Sequence, residues 1–153
     1  MLRFPRAEAY WWRQPLVRVR RRSLPAELAV LALELGAAEQ GSWLNVRPKA
    51  SGIVELLPLS TRRGPSFRPR REPLPFFVVA TLEDIYHRAG LDRGCPELVI
   101  WRTDREHFRL VAVKRRSELR RDQKKWDVAR QRFIEMAWQH GISTKFVEWE
   151  FRR

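Results

Sequence analysis

The sequence predicts an α/β fold, a mixed β-sheet flanked by helices, and three features predict it. Two runs of β-formers, Glu97–Arg102 (ELVIWR) and His107–Lys114 (HFRLVAVK), are joined by the polar stretch Thr103–Glu106, which is a hairpin signal. From Ser117 to about His140, the residues Leu119, Trp126, Ala129, Phe133, Met136 and Ala137 recur at helical spacing, so one face of a long helix is buried. Gly141 ends that helix, and Lys145–Phe151 (KFVEWEF) alternates apolar and charged residues as a final half-buried strand does.

The remaining elements follow in order. Ser23-Leu24-Pro25-Ala26-Glu27 predicts a helix start, with a Ser cap, Pro near the first turn and an acid at the positive end of the dipole. That helix runs to about Leu35, where Gly36 or Gly41 can end it. Short strands are expected at Trp43–Val46 and Ile53–Leu59, where apolar β-formers cluster. Thr61–Pro75 (TRRGPSFRPRREPLP) carries four Pro, one Gly and five Arg, a composition that predicts a mobile basic loop. Thr81-Leu82-Glu83-Asp84 predicts a second, short helix capped by Thr81 and stopped by Gly90. The expected order is α-β-β-(α)-β-β-α-β: one domain over 23–153 with a basic loop at 61–75, preceded by a basic arm at 1–22.

A chain of 153 residues that is 44% hydrophobic and holds seven Trp has the apolar mass for a core, which argues against general disorder. No apolar run approaches the roughly 20 residues of a membrane span, so a spanning helix is excluded. The single cysteine, Cys95, cannot form an internal disulfide, fits a reducing compartment, and reads as a small packed residue. His87, His107 and His140 show no metal-ligand spacing and read as exposed or hydrogen-bonded structural groups. The charge is the strongest compositional signal: 31 Lys+Arg against 18 Asp+Glu, formally +13, which favours a polyanionic partner.

Residues 1–22 hold seven arginines and one acid, Glu8. Such a leader resembles a mitochondrial transit peptide. The alternative, a basic arm that stays on the protein, is favoured by the anchoring residues Tyr10, Trp11, Trp12 and Leu16. The arm and the loop arginines Arg62, Arg63, Arg68, Arg70 and Arg71 are interleaved with Trp11, Trp12 and Phe67, a pattern that suits phosphate contacts with stacking. The long helix adds Arg115, Arg116, Arg120, Arg121, Lys124 and Lys125.

The hairpin brings chemistry-bearing residues together. With its turn centred between Asp104 and Arg105, Trp101 faces Phe108 and Glu97 faces Ala112, and directly opposed residues share one face of the sheet. Lys114, two residues on, points the same way, and so do Val99 and Leu110, while Val111 and Val113 point to the other face. Glu97 and Lys114 then meet at one end of the two strands, either as a cross-strand ion pair or as part of a catalytic centre.

Gly94-Cys95-Pro96-Glu97-Leu98, the strand ending Ala112-Val113-Lys114, Gln123 with Trp126, and Gly141 before the last strand together resemble the VRR-NUC branch of the PD-(D/E)XK nucleases. The pattern is similar to the nuclease domain of the Fanconi-anaemia-associated nuclease family: G-x-P-D-L, a strand ending E-V-K, Q-x-x-W opening a helix, and a Gly before the last strand. It covers about residues 81–151, and the first 75 residues carry no such motif. The resemblance implies a restriction-endonuclease-like fold and metal-dependent phosphodiester hydrolysis on branched or flapped DNA in DNA repair. It also implies Mg²⁺ or Mn²⁺ held by Glu97 and the Val113 carbonyl, a catalytic role for Lys114 and Gln123, and self-association as a homodimer. The implied compartment is intracellular, cytoplasmic or nuclear, with a mitochondrial one suggested by the leader.

Two positions depart from the pattern: its Asp is Glu97 and its second acid is Ala112. A divalent ion of this kind is held by one or two carboxylates plus substrate phosphate, so losing one acid weakens the site badly. Three explanations stand open: a natural pseudonuclease, an acid moved to Glu118 or Asp122, or a deliberate inactivating change. Glu27 or Glu34, seven residues apart on one face of the first helix, could contribute an acid or lie on a solvated face. The alternatives from other classes are a non-catalytic nucleic-acid-binding subunit and an organellar RNA-associated protein.

Overall fold

A computed structural model describes residues 1–11, 14–44, 53–55, 68–70, 74–102, 104–116 and 123–152; for 9–11, 14, 53–55, 68–70 and 123–126 only the backbone is described. The centre is a five-stranded mixed sheet in the order β1 (Leu2–Phe4), β10 (Thr144–Phe151), β9 (Phe108–Arg115), β8 (Leu98–Arg102), β5 (Glu39–Trp43). β1, β10 and β9 are parallel, while β8 runs antiparallel to both β9 and β5. The mixed sheet flanked by helices is therefore present, with α1 (Ala26–Glu34) on one face and α2 (Phe76–Ala89) and α3 (Gln123–Gln139) on the other.

Both faces are covered, which explains why β8 and β9 read as near-continuous apolar runs. Leu98, Ile100, Val111 and Val113 pack with α1 in one cluster; Val99, Trp101, Phe108 and Leu110 pack with Val78, Ile85 and Phe133 of α2 and α3 in the other. The β8–β9 ladder pairs Trp101 with Phe108 and Leu98 with Val111, the register expected from the hairpin turn. α3 is the crossover between the parallel strands β9 and β10, which a short turn cannot connect.

Several boundaries differ from expectation. The described residues of the basic segment 1–22 are folded: β1 joins the edge of the central sheet, and β2 (Arg6–Trp11), β3 (Gln14–Val19) and β4 (Arg22–Leu24) form a second, antiparallel sheet. Phe4, Leu16, Val17 and Leu24 are buried there, while Arg3, Arg6, Arg18, Arg20 and Arg21 are exposed, so alternation along strands reconciles many arginines with a packed segment. Ser23 pairs with Arg18 in β4 and caps nothing; α1 starts after Pro25, whose side chain makes no capping bond. α1 ends at Leu35 in extended backbone, and Gly41 lies inside β5 instead of ending the helix.

α2 begins five residues before Thr81, after Pro75, because Val78, with Phe77 partly buried beside it, extends the buried face of Leu82, Ile85 and Ala89 towards the N-terminus, while Phe76 itself stays exposed. The Thr81 hydroxyl donates to the Phe77 carbonyl at 2.7 Å, a mid-helix bond and not a cap. Gly90 ends α2 in the left-handed region at φ 64°, as expected of a terminal glycine. β7 (Arg68–Arg70) lies inside the stretch expected to be a loop and pairs antiparallel with β6 (Ile53–Glu55). Pro69 is tolerated because each strand of a two-stranded ribbon has an open edge. No described helix is long and apolar enough to cross a membrane.

His140 ties the end of α3 to the middle of α2. Its Nε2 lies 2.7 Å from Asp84 Oδ2 and its Nδ1 lies 2.8 Å from the Met136 carbonyl, so both ring nitrogens face acceptors and the imidazolium satisfies both. The Met136 carbonyl and then Asp84 raise the His140 pKa above its ordinary 6.5 despite the nearby Arg88, and the His140 bond lowers that of Asp84 below its ordinary 3.8. A raised histidine contributes stability that is complete below its unfolded value and lost as pH rises through the folded one; a lowered carboxylate contributes above its unfolded value. The difference in Tm between the natural chain and a His140→Gln variant should therefore be largest between about pH 4 and 6.5 and shrink above it. A difference that grows between pH 7 and 9 would contradict this pairing.

Candidate functional site

Glu97 stands where the chain enters β8, and three contacts set its backbone. Gly94 adopts φ 116°, a region open to glycine. A Cβ there would lie 2.6 Å from the Ala129 carbonyl oxygen, so the glycine lets the loop lie directly on α3. The Cys95 N–H donates to the Tyr86 hydroxyl at 3.2 Å, and the Glu97 carbonyl accepts from the Leu44 N–H at 2.7 Å. Burial pushes the Cys95 thiol pKa up, so this cysteine is a thiol and not a reactive thiolate at neutral pH.

The Glu97 carboxylate is engaged at both oxygens. Oε2 accepts the Val113 N–H at 2.8 Å, and Oε1 pairs with the Arg130 guanidinium of α3. Both side chains are only 22% exposed. Ala112, one step beyond the last β8–β9 ladder pair, is 2% exposed and lies on the α3 side by alternation. Glu97, Ala112 and Val113 are thus brought together as the hairpin register requires, but the cation at Glu97 is Arg130 and not Lys114. Lys114 is exposed beyond the end of the β8–β9 ladder, opposite Glu148 of β10. The physical reason is the helix: α3 crosses this face and lowers Arg130 onto the carboxylate before a strand lysine can reach it.

A divalent ion does not fit these groups as arranged. One carboxylate oxygen faces a guanidinium and the other a backbone N–H, both positive partners, and Ala112 supplies no donor. Among the described residues no three His, Cys, Asp or Glu side chains converge. Glu34 is placed elsewhere: it pairs with Lys145 at 2.7 Å and Arg109 at 3.3 Å, and Arg109 also reaches Glu39, lowering that carboxyl's pKa. Arg109 lies near the start of β9, three positions from Ala112, so Glu34 belongs to a separate ion network.

Arg115 closes β9 and Arg116 follows it, and Arg68 and Arg70 lie on β7. Gln123 opens α3, and Lys124 follows it, with backbone alone described. Arg62, Arg63, Arg71 and Arg120, and the acids Glu118 and Asp122, lie outside the described residues. Arg130 is the site residue that the sequence reading missed. Its signal was present: position 130 is four after Trp126 and three before Phe133, on the flank of the buried stripe, where a cation needs a partner.

Compared with protein-family models, curated proteins and solved structures, the chain matches none.

Proposed function

We propose that this chain is a nucleic-acid-binding protein built on a nuclease-like α/β scaffold of the PD-(D/E)XK type, in which the catalytic centre does not assemble. The observation that carries this reading is the Glu97 carboxylate, taken up by the Val113 N–H and Arg130 opposite an alanine. The order of parts supports the scaffold: Gly94-x-Pro96-Glu97 opening β8, Ala112-x-Lys114 closing β9, Gln123 opening α3 and Gly141 before β10. The charge of +13, with exposed arginines on β1 to β3, supports a polyanionic partner. Branched or flapped DNA is the ligand that the resemblance favours, with self-association as a dimer and an intracellular site of action.

The test is binding and cleavage on the same DNA. The chain as written should bind a branched duplex with an affinity that falls linearly in log–log terms with salt, and should not cut it with Mg²⁺ or Mn²⁺. Ala112→Glu alone should stay inactive because Arg130 still neutralises the carboxylates. Ala112→Glu with Arg130→Ala should gain Mn²⁺-dependent cutting that Lys114→Ala abolishes. Cutting by the unaltered chain would refute the unassembled centre and point to a moved acid such as Glu118. A preference for RNA over every DNA would replace the DNA reading with the RNA-associated one.

A further inference from the structure

We propose that the carboxyl ends of the parallel strands β1, β10 and β9 form the surface that grips the nucleic-acid backbone, with Arg115 and Arg6 seated on Phe151 as its anchor. This rests on the nucleic-acid reading above. Three parallel strands release their carboxyl ends on one side of the sheet, and ligands of open α/β sheets gather beyond such ends. Arg3, Arg6, Lys114, Arg115, Arg116 and Arg152 all lie within two residues of a strand's end here, against Glu148 and Glu150. Glu150 is shared by Arg3 at 2.8 Å and Arg116 at 3.8 Å, so one carboxylate serves two guanidinium groups.

Arg115 is held in an unusual way. Its Cζ lies 4.8 Å from the centre of the Phe151 ring and 5.5 Å from that of Trp149, two rings 5.2 Å apart at 87°. The Arg6 Cζ lies 5.5 Å from the same Phe151 ring. The Arg115 Nε is buried without an acceptor, and no carboxylate pairs with this guanidinium among the described residues. Rings therefore fix its orientation while its charge is left for an external anion. With Nε buried, the terminal Nη groups are the donors left to an external phosphate, and a guanidinium held over aromatic rings keeps its full charge for that contact. A purely structural arginine would cover the rings equally well; it would not contribute to counterion release.

The experiment measures the affinity of a fluorescent 20-base-pair DNA duplex across a salt series. Each lost phosphate contact lowers the slope of log affinity against log salt by about 0.9. Arg6→Gln with Arg115→Gln should therefore lower it by about two. Arg88→Gln, at the far end of α2, should leave it unchanged. Phenylglyoxal modification of the unaltered protein covers the case in which the double variant does not fold. Bound duplex should protect Arg6, Arg115 and Arg116 and leave Arg88 reactive. An unchanged slope, or equal reactivity with and without DNA, would overturn this placement while leaving DNA binding intact. Absence of any DNA binding by the unaltered chain would overturn the functional reading and this inference together.

Discussion

Gly94→Ala is expected to destabilise the protein by about 3 kcal/mol or more, from a strained positive φ added to a backbone clash. The Cβ would meet the Ala129 carbonyl oxygen at 2.6 Å and its carbon at 2.7 Å, and both belong to a helix backbone that cannot step aside as a side chain can. Relief requires the loop to lift off α3, which pulls Glu97 away from Arg130 and loosens the start of β8. For a domain of this size the loss corresponds to a fall in Tm of roughly 10 °C. Gly90→Ala is the contrast: its φ is also positive, but a Cβ there meets nothing within 4 Å, so only the backbone strain remains, about 1 kcal/mol. Equal effects at the two glycines in thermal denaturation would show that the loop does not rest on α3.

Glu97→Gln is expected to cost about 2–3 kcal/mol, because a half-buried guanidinium loses its counter-charge and the Val113 N–H loses a charged acceptor. Arg130→Met should cost a similar amount by leaving the carboxylate with one partner. The double variant should recover part of the sum, since neither charge is then stranded; this coupling is the signature of the pair in a double-mutant cycle. The sign is diagnostic. Acids kept for metal binding sit in unfavourable surroundings, and replacing one commonly stabilises the fold. A rise in Tm for Glu97→Gln would mean that the carboxylate is held for function and not for structure.

The parts that were legible in the sequence have local causes. The β8–β9 register followed from one polar turn and a period of two, since a slip by one residue would turn every apolar side chain to the wrong face. Placing Glu97 opposite Ala112 needed only that register. The buried stripe of α3 and its end near Gly141 likewise came from spacing and a glycine.

What only the tertiary structure decided lies where distant segments meet. β1 pairs in parallel with β10, Arg3 opposite Glu150, across 147 positions, and nothing in residues 1–22 marks them as a sheet edge more than as a basic arm. The choice of Arg130 over Lys114 as the partner of Glu97 depends on how α3 lies across the sheet, which helix periodicity alone does not set. The start of α2 moved because an apolar run found a core to bury itself in, against the local capping signal at Thr81. The sequence by itself determined the α/β class, the hairpin and the residues opposed across it, because those rest on local periodicity; packing between segments far apart in the chain decided which charge neutralises the central carboxylate, because a side chain pairs with whatever the fold brings nearest.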